Sequence, residues 1–130
     1  IIITDINGNK KIDFNKNEKI VIKFNYEVFQ EVKDLICKLA FRSNSGEVVA
    51  GYSSFYVSRK PLKKGTFGSG KFIIETNSMM RNTFRPLVWL GESSFQSESD
   101  IVDGLVPPFI INDNNEKEKK GFFKPKVTFE

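Results

Sequence analysis

Residues 19–28 read KIVIKFNYEV, and their alternation decides the fold class. Ile20, Ile22, Phe24, Tyr26 and Val28 fall on one face of an extended chain, with Lys19, Lys23, Asn25 and Glu27 on the other. A period of two is the mark of a strand that buries one face and shows the other to water. The same rule organises Asp34 to Arg42, where Leu35, Cys37, Leu39 and Phe41 alternate with Ile36, Lys38, Ala40 and Arg42. It recurs around Phe72 and Ile74, and again in Phe84, Pro86, Val88 and Leu90. Turn-forming clusters separate these runs, among them Asn7-Gly8-Asn9 and Ser43-Asn44-Ser45-Gly46. The second should close a hairpin onto Glu47 to Val57, and Gly68 and Gly70 mark a bulge or a close approach. Met79 and Met80 read as caps at one end of a core. Asn114 to Lys120 reads as a charged tip, and Pro125 marks the last strand as an edge. No stretch of ten or more residues carries a helical period. The chain is therefore expected to be all-β, an antiparallel sandwich of about seven to nine short strands.

The 130 residues suffice for one domain, and no second domain is expected within 1–130. Because Ile1 stands inside an apparent strand with no initiator methionine, the domain is expected to be excised from a longer chain. Thirteen phenylalanines must supply much of the core. The net charge of +4 arises from 20 basic and 16 acidic residues interspersed along the chain, without the basic stripe that a nucleic-acid surface needs. Nucleic acid is accordingly not expected as a partner.

Catalytic chemistry has little to work with. There is no histidine, so a serine nucleophile lacks its usual base, and one cysteine without histidine cannot build the common zinc sets. Cys37 sits on the apolar side of its strand and reads as a buried structural thiol. Asp5-Ile6-Asn7-Gly8-Asn9 resembles the start of a calcium loop, but Lys10 and Lys16 fall where the turn glycine and the closing glutamate belong. A turn is the better reading. No cofactor and no metal are expected, and the chain reads as a binding surface and not an enzyme.

Trp89, the one tryptophan, is the residue that most suggests a ligand. In FRPLVWLG the alternation turns Arg85, Leu87 and Trp89 away from the core face. An exposed indole offers a π-face to the C–H face of a sugar ring. Lys38 and Arg42 lie on the corresponding side of their strand, and the adjoining strand adds Tyr52 or Tyr56. Basic and aromatic groups together suit a hydroxylated, anionic ligand. The alternative placement for Trp89 is packing in the core or beneath a loop, since tryptophan is usually well buried.

The order of the segments resembles the C-terminal carbohydrate-binding domain of Wzt-type ATPases, the nucleotide-binding subunits of ABC transporters that export O antigen and related polysaccharides. The resemblance rests on an early Asn7-Gly8 turn, a strand opened by Asn17-Glu18, and Glu47-Val48-Val49-Ala50-Gly51-Tyr52-Ser53-Ser54 with its small polar centre. Gly68-Ser69-Gly70-Lys71-Phe72, the Trp89 strand, Asp100, Phe109-Ile110-Ile111 and the segment Gly121 to Phe129 follow in order. One departure is at Thr83 and Phe84, where the family often has Gly-x-Tyr. The resemblance implies an immunoglobulin-like sandwich that forms homodimers and recognises a lipid-linked polysaccharide at the cytoplasmic face of the inner membrane. Its other partners would be the transporter's nucleotide-binding and transmembrane subunits, with ATP hydrolysis in a separate N-terminal domain. The residues implicated are Trp89, Arg42, Lys38, Tyr52, Tyr56 and Arg85. A protein-binding or adhesive immunoglobulin-like module, and an accessory sugar-binding domain of a glycoside hydrolase, are the rival readings of the same pattern.

Overall fold

A computed structural model describes residues 1–15, 17–43, 48–76, 82–93, 100–102, 109–112 and 126–130, with the backbone alone for 48–52, 82, 100–102 and 109–112. The expected Met79 and Met80 cap, the tip at 114–120 and the turn residues 44–46 lie outside this set. The described residues form ten strands: β1 (Ile2–Thr4), β2 (Asp13–Asn15), β3 (Lys19–Glu27), β4 (Leu35–Ser43), β5 (Val48–Ser58), β6 (Phe67–Glu75), β7 (Asn82–Gly91), β8 (Asp100–Val102), β9 (Phe109–Asn112) and β10 (Lys126–Phe129). β1, β2 and β8 have three residues each.

The strands form two sheets, in the orders β1-β3-β6-β10 and β2-β9-β7-β4-β5, with β8 also paired to β7. Neighbours run antiparallel except β2 and β9, which are parallel. Placing β3 beside β6 in one sheet, and β4 between β7 and β5 in the other, reproduces the immunoglobulin arrangement. The position beside β6, where such a sandwich has its fourth strand, is filled by β10 from the chain's end. As Pro125 suggested, β10 is an edge.

Alternation builds the core. In β3, Ile20, Ile22 and Phe24 are buried with Tyr26 packed behind them, and from the other sheet come Cys37, Leu39, Phe41, Phe84 and Val88. Phe24, Phe55, Phe72 and Phe129 form a cluster across the two layers, with Phe55 5.9 Å from Phe72 and 5.7 Å from Phe129 by ring centroid. Gly70 makes room for this cluster. A Cβ there would lie 2.7 Å from the tip of Phe24 and 2.8 Å from the Phe129 ring. Gly68 likewise lies beneath Tyr26. The register of β3 against β6 runs without a shift from Lys19↔Glu75 to Glu27↔Phe67, so the two glycines mark close approach and not a bulge.

Pro86 is tolerated in an inner strand for a local reason. β9 pairs with residues 82–84 of β7 and β8 with 88–90, so among the described residues none pairs with Pro86 on that side and no ladder donor is required of it there. Asn7-Gly8-Asn9 is a turn, as expected, with Gly8 at φ +88°. The Asp5 carboxylate accepts the backbone N–H groups of Asn7 at 2.9 Å and Asn9 at 3.0 Å. These bonds, that from the Asn9 N–H foremost, hold Asp5 below the usual carboxylate range.

At one end of the sandwich the two connections between the sheets run side by side. Segment 28–34 carries the chain from β3 to β4, and 59–66 carries it back from β5 to β6. Val28 donates its N–H to the Thr66 carbonyl at 2.9 Å and accepts from Gly65 at 2.7 Å, while Val32 and Leu62 exchange both backbone bonds at 3.0 and 2.9 Å. Gly65 takes φ +88°, a left-handed conformation that costs glycine little.

Two tests follow from this packing. Gly70→Ala should lower unfolding free energy in urea by about 1–3 kcal/mol, since the buried Phe24 ring has little room to yield. Gly68→Ala should cost less, because the half-buried Tyr26 can swing outward; equal losses would contradict the arrangement. Near the start of β3, Lys11 Nζ lies 2.7 Å from Glu18 Oε2 and 2.9 Å from Oε1, and the Asn15 N–H donates to the same carboxylate. The Lys11 bond, then that from Asn15, lowers the Glu18 pKa. A depressed carboxylate stabilises the fold fully above its unfolded pKa and loses that contribution as pH falls through the folded value. Lys11→Met should therefore remove less than ~1 kcal/mol at neutral pH, with the difference from the parent chain vanishing in acid denaturation series.

Candidate functional site

The pairing of β4 with β7 decides where the candidate side chains stand. Lys38 is the Cα partner of Trp89, Ala40 of Leu87, and Arg42 of Arg85. Their neighbours Cys37, Leu39, Phe41, Phe84 and Val88 belong to the core, so these six lie on the outer face of the second sheet. On β5, Ser54 is opposite Lys38 and Tyr56 opposite Ile36, which brings Tyr56 to the same face, diagonal to Lys38. Lys38 and Arg42 are four residues apart, about 13 Å along an extended strand.

Of the two placements open to Trp89, exposed stacking platform or packed side chain, the structure has the second: it is only 5% exposed. Ala40 at 0% and Leu87 at 2% show that the centre of this outer face is covered as a whole. Lys38 Nζ stands over the indole, 4.5 Å from the ring centroid, so a cation occupies the π-face that a sugar would need. Strand alternation reports direction and not cover, which is why the residues alone left both placements open.

The exposed groups lie around the covered centre. Tyr56 is 42% exposed and Arg85 is exposed, whereas Lys38 and Arg42 are half-buried. Tyr52 belongs to β5, but its side chain lies outside the described residues. Arg59 adds a group not singled out from the sequence: its guanidinium lies 4.0 Å from the Tyr56 ring centroid. The signal for it was the basic loop three residues beyond the tyrosine. Arg42 and Arg85 stand directly opposite each other on neighbouring strands.

Nearby carboxylates are committed to structure. Asp34 accepts from Ser93 Oγ at 2.5 Å and from the Ser93 N–H at 2.9 Å, contacts that lower its pKa, and Glu92 accepts the Lys33 N–H at 2.8 Å. Burial pushes the Cys37 thiol up to about 12, leaving it a thiol and no nucleophile at neutral pH. Among the described residues no group of three or more His, Cys, Asp or Glu is placed to hold a metal ion, and no helix is long and apolar enough to cross a membrane. A separate open groove of about 310 Å³ lies along β1, lined by Ile1, Ile2, Ile3, Ile12, Lys10 and Lys11, and it contains none of the candidate residues.

The cation over the indole is directly testable, because Trp89 is the chain's one fluorophore of its kind. Acrylamide should quench its emission weakly. Lys38→Ala should raise the quenching constant severalfold and shift emission to the red; an unchanged constant would mean that Lys38 does not shield the ring.

No protein-family model matches the sequence, and no curated protein matches it. A solved structure does match by shape: that described as the crystal structure of the C-terminal domain of Wzt, with a TM-score of 0.70 at 6% identity, covering 88% of this chain and 71% of that one. So low an identity leaves the individual side chains to be argued from their own geometry. In fold, the chain is a β-sandwich like the C-terminal domain of Wzt.

Proposed function

We propose that this chain is a non-catalytic module that binds a polysaccharide, through the cationic and aromatic rim of its β4–β7–β5 face. The observation that carries the reading is the placement of Lys38, Arg42, Arg85 and Tyr56 on one outer face, in a fold shared with the C-terminal domain of Wzt. Arg42 and Arg85 would donate to acidic or hydroxyl oxygens in a forked geometry, and Lys38 would add a point charge two rows away. Tyr56, already flanked by Arg59, supplies the aromatic surface; Trp89 serves beneath Lys38 as a support for that cation and contacts a sugar only where the lysine moves aside. The likeness to Wzt supports an O antigen or related lipid-linked glycan as the ligand. It also supports work beside the nucleotide-binding and membrane subunits of an ABC transporter, at the cytoplasmic face of the inner membrane. A homodimer would let one long glycan meet two such faces and gain avidity.

Binding at a wet, exposed rim is expected to be weak for each site. NMR titration of the labelled chain with the surface polysaccharide of the producing organism should move resonances of Lys38, Arg42, Tyr56 and Arg85. Arg85→Gln should weaken binding about tenfold, the worth of a charge-assisted hydrogen bond, without lowering thermal stability. Saturable shifts confined elsewhere would discard this face, and no shifts at millimolar sugar would discard the glycan.

A further inference from the structure

The laced end of the sandwich has chemistry that the glycan reading does not use. Phe67 is 75% exposed and Phe29 is 70% exposed, the two most exposed large apolar side chains described. They are neighbours in the fold. Phe67 is the Cα partner of Glu27, and Phe29 stands two residues beyond Glu27, past the buried Val28. In the connection that leads into Phe67, Arg59, Lys60, Lys63 and Lys64 are all exposed, in a segment without an acidic residue. The two laced segments together hold five cations against Glu31 and Asp34, and Asp34 is engaged by Ser93. The backbone bonds of Val28 and Val32 with 62–66 fix this surface, so presenting it incurs little ordering cost.

We infer that this end docks on an anionic phospholipid bilayer. Phenylalanine has no polar tip to satisfy, so two exposed rings favour an apolar medium over a hydrated polymer. Lysine is depleted at the centres of protein interfaces, whereas a negatively charged bilayer recruits lysines without demanding fixed partners. Rings dipping to the headgroup level, with lysines beside them at the lipid phosphates, is the arrangement of a peripheral membrane surface. Arg59 bridges from this end to Tyr56, so a docked chain would hold its outer β4–β5 face beside the membrane. The inference does not rest on the glycan reading, because Phe29, Phe67, Lys60, Lys63 and Lys64 take no part in that site.

Flotation of the full 130-residue chain with vesicles tests it. The chain should float with vesicles containing phosphatidylglycerol, remain behind with pure phosphatidylcholine, and detach as salt rises. Replacing Lys60, Lys63 and Lys64 by Gln should lower partitioning on the order of a hundredfold, from about fivefold per lysine, and Phe29→Ser with Phe67→Ser should also abolish flotation. Both sets change exposed side chains, and unaltered quenching of Trp89 will confirm that the variants are folded. In addition, Phe67→Trp should show a blue shift in emission on adding the anionic vesicles. No flotation at low salt, or flotation indifferent to both sets of substitutions, would overturn the inference. So would capture of soluble polygalacturonate by the same lysines without flotation, which would assign the loop to anionic glycans.

Discussion

The sandwich depends on the aromatic cluster that Gly70 admits. Phe24, Phe72 and Phe129 come from three neighbouring strands of one sheet, and Phe55 reaches them from the other, so a single group of rings both levels one layer and joins it to the second. Gly70 is where β6 gives up a side chain to let two of those rings lie over its backbone. That exchange also places β10, because Phe129 joins the cluster only when the chain's end pairs with β6 in the observed register. The immunoglobulin-like order, with a late strand in the fourth position, thus has a physical cause in ring packing.

Most of this was legible in the residues, and for a definite reason. Strands longer than eight residues, such as β3, β4 and β7, repeat the alternation often enough to declare both their extent and their inner face. The glycines of β6 announced a bulge or a close approach, between which the register decided, and the turn at Asn7-Gly8-Asn9 carried its own conformational signature. What was hidden is the information alternation does not hold. The parallel pairing of β2 with β9 depends on distant parts of the chain, and nothing local to Asp13–Asn15 encodes it.

The candidate site divides along the same line. That Lys38, Arg42, Arg85 and Trp89 share a face follows from counting residues along β4 and β7, and the register only made them neighbours. That the middle of the face is covered does not follow from counting, because cover is tertiary. Trp89 is the instructive case: its direction was readable, while its burial under Lys38 required the fold. Arg59 shows the converse, a loop residue whose place over Tyr56 is set by the crossing of a connection and not by any strand pattern.

That crossing has a mechanical consequence. The segments 28–34 and 59–66 pass between the layers in opposite directions and are bonded to each other along their length. They work as a seam. To slide one sheet over the other, the bonds between Val32 and Leu62 and those from Val28 to Gly65 and Thr66 would have to yield together. The layers are consequently held against shear at this end, and a force applied to the exposed loop is passed to both sheets at once.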